Sequence, residues 1–572
     1  MEDTVSRYWA NVRRRTTRRR LLTSGAAAGA GAASLALVGC GDDDDDDDDD
    51  GAATATTAPG TGTAGPSGEA RPGGSVVIAA SSPPHLDPTL NASFATVAMH
   101  RNIYNRLFRT VSGPGEDPGS LRMIPDLAEA LPEQPDETTY IIKVRQDVTF
   151  HNMPPVNGRQ LTGEDVVYTF QRLLDPNVAS PNRSLYTRIN NIELMDPYTV
   201  RITTDEPYSP LIVYLGHYYS GWIIPREAVE QFGDLRGNAI GTGPFTLESF
   251  SPNQEAVFAK NPNFFQKPYP YIDRLQYLFI DQAQPRIAAL EAGNIDVGTF
   301  PAQDLERLEG LLTDDGGGVI RTLPGLASSV IMMTKRAPLD DERVRRALSL
   351  LLDQQLMIDV TLFGEGVFAG LGMPPLYSEW SLSQDELREL HPYDPEQAQA
   401  LLEEAGMGNG FDTNLYFSPF YSAAGVPVED FVEIYVESLR QAGINAEVEA
   451  KEYQAHLQTW TTENFSLYLG PRTIGLTPDE FYAAGFTPGG ARNFSKLDDP
   501  EITRMSEQIQ RTFDVDEQID LSHQLMRRLG ELAPEAPLPS PYAFTGYRGR
   551  LKDFSVSADF GSPTYQWTWV DE

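Results

Sequence analysis

Strand-like segments recur along the chain between turn-forming residues. Residues 75–80 form a short apolar run that ends at a Ser-Ser-Pro-Pro turn, which predicts a buried strand entering a loop. Apolar or aromatic residues occupy every second position over 140–144, 198–202 and 444–448. This period of two places them on one face of a strand.

Helical segments alternate with these strands, most regularly in the second half of the chain. The helical period of apolar residues appears over 100–108, 166–174, 344–352, 395–405 and 429–441. Asp341 and Asp394 stand where N-caps belong, Pro395 takes a first helical position, and Gly406 and Gly443 follow helix ends. The fold class predicted is α/β, with two lobes of mixed sheets flanked by helices.

The first forty residues have the layout of an export signal. A basic segment with a twin-arginine pattern at 13–20 precedes a Gly- and Ala-rich apolar run over 21–38, which is short for a membrane span. The run ends at Leu37-Val38-Gly39-Cys40, which resembles the bacterial lipobox, where a peptidase cuts before a cysteine that receives lipid. We therefore expect residues 1–39 to be a signal peptide and Cys40 to be lipidated. Export by the twin-arginine or by the general secretory route stays open.

Residues 40–72 predict an extended tether between a lipid anchor and the folded body. An unbroken run of aspartates occupies 42–50, and Ala, Thr, Gly and Pro dominate from there to 72. A block of like charge repels itself and cannot fold. Calcium binding is the alternative, but the run lacks the ligand spacing of an ordered loop.

Composition excludes several classes of function. The formal net charge of −36 argues against nucleic-acid binding, which needs basic patches. Cys40 is the only cysteine, so no disulfide within the chain and no cysteine-built zinc site can form. None of the seven histidines lies in an HExxH motif, and there is no G-x-S-x-G elbow or phosphate loop. We expect no metal, no cofactor and no enzymatic activity.

Five segments of the body stand in an order that identifies a family. They are ETTYIIKVRQDVTFH with LTGEDVVYTFQRLLDP (within 131–176), GTGPF with KNPNFF (241–265), ALEAGNID (289–296), LDDERVRRALSLLLDQQ (339–355) and YDPEQAQALLEEAG (393–406). Together they resemble the blocks of the extracytoplasmic solute-binding proteins of the peptide/nickel type, known as family 5. That family serves ATP-driven importers.

The resemblance implies a bilobed periplasmic-binding-protein-like fold of class II, of the large type with an extra subdomain, with two strands crossing between the lobes. Lobe I would comprise residues 73–325, with an inserted subdomain at about 105–225. Lobe II would comprise residues 326–532, and residues 533–572 would return to lobe I. The chain would capture a small polar solute, a peptide or peptide-like compound, and deliver it to a permease and ATPase complex. We expect a lipid-anchored monomer on the outer side of the cell membrane.

The family's usual acid is missing from the expected ligand loop. Peptide binders of this type commonly pair an aspartate with the peptide's amino group, but residues 467–479 here place Arg472 or Thr473 near its position. Asp479 is expected only to cap the helix that follows. An arginine suggests a ligand with a carboxylate, phosphate or sugar-acid group. The alternative is that Arg472 pairs with a neighbouring acid and contacts no ligand.

The other candidate ligand-binding residues follow from position and residue type. They are Ser82 in the first loop, Gly325 and Ser328 at the expected crossing, Phe417 in lobe II, and Trp460 and Tyr468 as wall aromatics. Each aromatic could instead be a packing residue of the core.

Two other functions are alternatives to import. A lipid-anchored extracellular hydrolase would need a convergent acid pair or a nucleophile with its base in the cleft. A ligand-presenting sensor partner would use the same fold without a permease.

Overall fold

The computed structural model describes residues 69–571 except 92, 424–425 and 558–562, and at 423, 461, 473 and 474 it describes the backbone alone. The predicted signal peptide, the lipidated Cys40 and the tether up to residue 68 lie outside the described residues. Within the described part, no helix combines the length and the apolar composition that crossing a bilayer requires.

The first part of the body contains strands and helices in mixed order. Its strands are β1 (Ser75–Ala80), β2 (Phe108–Thr110), β3 (Met123–Pro125), β4 (Glu133–Asp136), β5 (Thr139–Lys143), β6 (Ile189–Asp196), β7 (Thr199–Thr204), β8 (Phe245–Ser251), β9 (Glu255–Lys260), β10 (Arg274–Phe279), β11 (Val297–Phe300) and β12 (Gly318–Thr322). Its helices are α1 (Phe94–Ile103), α2 (Gly163–Leu174), α3 (Leu211–Leu215), α4 (Arg226–Phe232), α5 (Ala283–Glu291) and α6 (Leu305–Asp314).

The second part is richer in helices. Its strands are β13 (Leu326–Met332), β14 (Gly366–Val367), β15 (Asp412–Phe417), β16 (Asn445–Ala450), β17 (Leu467–Ile474) and β18 (Glu535–Pro537). Its helices are α7 (Glu342–Leu350), α8 (Gln354–Val360), α9 (Gln384–Leu390), α10 (Pro395–Glu404), α11 (Phe420–Ala423), α12 (Val428–Gln441), α13 (Tyr453–Thr462), α14 (Ala484–Phe486), α15 (Pro500–Arg511) and α16 (Val515–Leu532). The chain ends with β19 (Ser540–Pro541), β20 (Ala543–Tyr547), β21 (Leu551–Lys552), β22 (Ser555–Val556), β23 (Pro563–Thr564) and β24 (Trp569–Val570).

Most of the predicted strands and helices are confirmed. Side-chain capping explains why the starts of helices were predictable. Asp394 precedes α10 and accepts a 2.9 Å hydrogen bond from the Gln397 backbone N–H, as an N-cap should. The helix predicted at 100–108 is wrong in its bounds. Helix α1 ends at Ile103, the next residue is extended, and Phe108 already belongs to β2.

Lobe I is built on a seven-stranded sheet with the order β12-β20-β11-β1-β10-β9-β8. The inserted segment adds a four-stranded sheet, β4-β5-β7-β6, with α2 packed beside it. Val76 of β1 and Tyr140 of β5 belong to one continuous hydrophobic core. The four-stranded sheet and the seven-stranded sheet therefore pack on the same hydrophobic core.

Lobe II is built on a five-stranded sheet with the order β16-β15-β17-β13-β18. Strand β15 runs parallel to β16 and β17, whereas β13 runs antiparallel to β17 and β18. Helices α7 and α10 pack against each other, and α7 contacts β18. The two sheets, each with its own helices, confirm the bilobed α/β fold.

The chain passes between the two sheets at 323–325 and at 538–542. Strand β12 pairs in the lobe I sheet and β13 in the lobe II sheet, so the first crossing lies beside the predicted boundary at 325. The second crossing comes later than the predicted return at 533. Strand β18 is still held to β13 by backbone pairing, and the first strand to rejoin the seven-stranded sheet is β20.

The close approach of Gly325 to Tyr377 provides a test of the first crossing. A Cβ atom on Gly325 would lie 2.6 Å from the Tyr377 hydroxyl, which donates a 3.0 Å hydrogen bond to the Gly475 carbonyl. We expect Gly325→Ala to lower the free energy of unfolding by about 1–3 kcal/mol, because the hydroxyl must leave a buried acceptor. Tyr377→Phe removes the clashing atom, so the double variant should lose less than the sum of both single losses in chemical denaturation. Additive losses would contradict this account.

Candidate ligand-binding cleft

The carboxyl ends of the parallel strands in the lobe I sheet lie at the edge from which the chain leaves. Strands β10 and β11 both run parallel to β1. Strand β12 runs parallel to β11, because both are antiparallel to β20. The chain leaves this edge after Thr322, the last residue of β12. The loop after β1, which contains Ser82, therefore lies at the edge of lobe I that faces the crossing.

The lobe II sheet presents the matching edge. Leu326 at the start of β13 pairs with Ile474 at the end of β17, so the carboxyl ends of the parallel strands lie where the first crossing enters. The path from Thr322 to Leu326 spans at most about 14 Å, which brings the two edges close together. Ligands of open α/β sheets bind beyond the carboxyl ends of the strands. The space between these edges is the candidate ligand-binding cleft.

Three predicted residues lie on or near the crossings. The half-buried Ser82 hydroxyl accepts a 2.9 Å hydrogen bond from a backbone N–H in the β8–β9 turn. Gly325 is in the first crossing itself, and the Ser328 carbonyl accepts a 3.0 Å bond from a backbone N–H of the second crossing. The Thr473 side chain lies outside the described part, although its backbone pairs with β13. Ligand contact by these four residues stays a prediction.

Aromatic side chains gather where β15 and β16 end, and we call this group the aromatic wall. It comprises Tyr416, Phe420, Tyr421, Tyr453, His456, Trp460 and Tyr468. The predicted Trp460 and Tyr468 rings lie 5.2 Å apart within it, and Tyr468 is fully buried with its hydroxyl bonded to the Pro471 carbonyl. Phe417, also predicted, ends β15 next to the wall and is 8% exposed.

One part of the wall is open to solvent. Phe420 is 51% exposed and its ring centroid lies 4.4 Å from that of Tyr453, which is half-buried. Behind them His456 is fully buried, and its Nε2 atom lies 3.2 Å from the Tyr421 hydroxyl. Burial lowers the pKa of His456 to about 4, so the imidazole is neutral at neutral pH. The wall thus offers uncharged, mainly apolar surface.

Arg472 lies near the cleft end of β17, but its charge is already paired. Its Nε atom is 3.0 Å from a carboxylate oxygen of Glu535, and both side chains are almost fully buried. The guanidinium also donates a 2.8 Å bond to the Gly485 carbonyl and lies 4.2 Å from the Phe486 ring centre. Burial lowers the pKa of Arg472 and raises that of Glu535, while the opposite charge of each partner counteracts the shift. Pairing with a neighbouring acid, the alternative from the sequence, is the arrangement present here.

Removal of either member of this pair leaves a buried charge without compensation. We expect Arg472→Met and Glu535→Gln each to lower the free energy of unfolding by about 3–5 kcal/mol, and the double variant to lose less than the sum. The control is Arg226→Met, which breaks an exposed pair with Glu230 and should leave the free energy of unfolding almost unchanged. Urea denaturation measures all four variants. A loss at Arg472 as small as at the control would show that the buried pair is not structural.

Glu480 is a second buried acid at the contact between the lobes. It accepts a 2.8 Å hydrogen bond from the Leu476 backbone N–H, and its Oε1 atom lies 3.8 Å from Nε2 of His217 in lobe I. Burial raises the pKa of Glu480 to about 7, although Arg492 acts in the opposite direction. This carboxyl group therefore titrates near neutral pH inside the protein.

The raised pKa of Glu480 makes stability depend on pH. An unfolded glutamate has a pKa of 4.5 and the folded one about 7, so the folded state binds the proton more tightly. The stabilisation is complete below pH 4.5 and is lost as the pH rises through about 7. We expect the wild type to lose about 2–3 kcal/mol relative to Glu480→Gln between about pH 5 and pH 8. Urea titrations at both pH values measure this difference, and a constant difference would refute the assignment.

The prediction that Asp479 caps the following helix is wrong. The residue begins a π-helical turn, Asp479–Ala483, without capping it through its side chain. Instead, the hydroxyls of Tyr208 and Tyr214 each donate a 2.7 Å hydrogen bond to the same carboxylate oxygen. The other oxygen accepts a bond from the Gln510 side-chain amide. Side-chain donors satisfy this carboxylate in place of the helix N–H groups.

Sequence reasoning missed most residues at the contact between the lobes. Tyr214 and Asp479 are 265 positions apart, and no local pattern links them. His217 and Glu480 are separated almost as widely. A signal did exist for Glu535, because a lone acid within the apolar stretch 532–538 indicates a buried, paired carboxylate.

Two sheets that face each other across two chain crossings define a two-lobe binding protein of the α/β class. The chain belongs to the bacterial extracellular solute-binding proteins, family 5, because the model described as "Bacterial extracellular solute-binding proteins, family 5 Middle" matches residues 122–493. It is accordingly a substrate-binding component of an ABC importer and works outside the cytoplasm.

Curated relatives and solved structures resemble the chain over most of its length. It is 26% identical to Heme-binding protein A of Haemophilus influenzae over 503 residues (83% of this chain, 88% of the relative). It is 25% identical to Di/tripeptide-binding protein 1 of Pseudomonas aeruginosa (83% and 90%). The structure of HbpA2 from Haemophilus parasuis superposes with a TM-score of 0.75 at 22% identity (87% and 100%). The structure of DppA from Helicobacter pylori in complex with the peptide STSA superposes with a TM-score of 0.69 at 22% sequence identity (88% of this chain, 99% of that one).

Proposed function

We propose that this protein binds a peptide or peptide-like solute with an apolar or aromatic group and presents it to an ABC permease. The aromatic wall carries this proposal, because its exposed part lies at the cleft edge of lobe II. Aromatic rings offer large contact areas and favourable stacking to such groups. Relatives named for di/tripeptides and for glutathione support a peptide-like ligand. The relative named for heme supports a large apolar group.

Charge pairing in the cleft disfavours a strongly anionic solute. The guanidinium of Arg472 faces Glu535, and the carboxylate of Asp479 faces two phenol hydroxyls. Neither group offers a free charge to a ligand. A neutral or zwitterionic solute fits this arrangement better than a sugar acid or a phosphate.

Closure of the lobes supplies the signal that an importer reads. A solute that contacts both lobes stabilises the closed state by the difference between its contacts in the closed and open states. Binding of this kind needs no covalent step, and relatives named as heme-, di/tripeptide- and glutathione-binding proteins support this over hydrolysis. Import also accounts for the family membership more directly than a sensor role does.

The proposal extends to the membrane. The lipobox-like sequence before Cys40 and the acidic stretch after it support an exported monomer that is held at the membrane by lipid and a tether. Mass spectrometry of the protein purified from membranes of its host would detect a diacylated N-terminal cysteine at residue 40.

A ligand screen tests the proposed function. A bound solute at about one hundred times its Kd should stabilise the folded protein by about 2.7 kcal/mol and raise Tm by a few degrees. We expect di- and tripeptides with an aromatic side chain to shift Tm more than all-glycine peptides. Calorimetry should then show that Phe420→Ala and Tyr453→Ala each weaken binding about 3- to 10-fold.

The matched control for these variants is Tyr393→Ala, which removes an exposed tyrosine outside the wall. It should leave Kd unchanged. Equal affinity for aromatic and all-glycine peptides, or no loss on removing Phe420 and Tyr453, would overturn the proposed ligand class.

A further inference from the structure

The two lobes are joined by a part-buried polar contact far along the chain from both crossings. Tyr208 and Tyr214 belong to the hydrophobic core of lobe I, and Asp479 follows β17 of lobe II. Both phenol oxygens lie 2.7 Å from one oxygen of the Asp479 carboxylate. We propose that this contact is a latch that holds the lobes closed, and that Asp479 sets ligand affinity without contacting the ligand.

The chemistry of the contact suits a latch. Tyr208 is 7% and Tyr214 1% exposed. Burial, with the Asp479 charge as the next cause, raises the pKa of both phenols well above 10, so they stay protonated as donors. A carboxylate only accepts hydrogen bonds, and charge-assisted bonds are stronger than neutral ones. The Gln510 side-chain amide, which hydrogen-bonds to the other carboxylate oxygen, is a donor as well.

Neighbouring contacts align the same surfaces. The Ser209 backbone N–H donates a 2.8 Å bond to the Gln510 carbonyl, and its hydroxyl accepts a 2.8 Å bond from the Gln518 side chain. At the rim, Arg511 and Glu206 form an exposed ion pair of 2.9 Å. Exposed pairs contribute little, whereas the half-buried Asp479 carboxylate accepts charge-assisted hydrogen bonds from two buried phenols. The energetic centre of the contact is therefore Asp479.

The latch acts on the equilibrium between open and closed lobes. When the lobes separate, the carboxylate and the two phenols lose their hydrogen bonds to each other and form hydrogen bonds to water instead. The contact thus favours the closed state whether or not a solute is present. Because apparent affinity scales with the fraction of binding-competent protein, a weaker latch gives a weaker Kd even where every ligand contact is kept.

The test uses the whole mature chain without ligand. Small-angle scattering should give a larger radius of gyration for Asp479→Asn and for Tyr208→Phe/Tyr214→Phe than for the wild type. An asparagine amide loses the charge and keeps one acceptor oxygen, so its NH2 group must face either the phenols or the Gln510 amide, donor against donor. The phenylalanine variants keep the core volume and guard against misfolding. Combining all three changes should open the protein no further than either variant alone, because both remove the same contact. The control Glu206→Gln breaks only the exposed pair and should leave the scattering unchanged.

The affinity measurement rests on the proposed function, and the scattering measurement does not. With a ligand from the screen, the latch variants should bind about tenfold more weakly. Unchanged scattering in both latch variants overturns the latch whatever the solute is. A tenfold loss of affinity in Asp479→Asn with unchanged scattering also overturns it, because Asp479 would then contact the solute directly.

Discussion

The two chain crossings are the constraint on which the rest of the structure depends. Because β12 leaves one sheet and β13 enters the other within a few residues, the strand edges of both lobes must face each other. The second crossing adds a bond between the Leu538 N–H and the Ser328 carbonyl, which fixes the two connections side by side. Gly325 has no side chain at the point where Tyr377 packs against the crossing. The position of the cleft follows from this topology and not from any ligand.

Close packing at the cleft edge decides which groups remain for a solute. Arg472 and Glu535 are buried and Asp479 is half-buried, and a charge removed from water is tolerated only with a partner. Arg472 has Glu535, and Asp479 has the phenols of lobe I. The exposed rings of the aromatic wall carry no charge and need no such partner, so they can stay open to the cleft. Electrostatics here organises the protein, and in the proposed function apolar contact serves ligand recognition.

Apolar patterns and helix caps, which act over a few residues, made many strands and helices predictable from the sequence. Contacts between residues far apart in the sequence could not be predicted in this way. Apolar alternation marked β5 and β7, and an N-cap aspartate marked the start of α10. The blocks of family 5 indicated the lobes. The acid that pairs with Arg472 could not be chosen among the 81 acidic residues, since strand order brings Glu535 beside it. The role of Asp479 was mistaken for the same reason, because the local cap was the nearest explanation and its real partners lie in the other lobe.

Ligand choice in this fold is separable from the fold itself. Relatives 25–28% identical to the chain are named for heme, for di/tripeptides and for glutathione. Specificity must therefore reside in side chains that the topology merely positions. In this chain the acid expected for a peptide's amino group is absent, and the nearest charged residues are already paired. A solute held by aromatic contact would depend more on how completely the lobes close around it than on any single ion pair. Residues that hold the lobes together can then tune affinity as strongly as residues that contact the ligand.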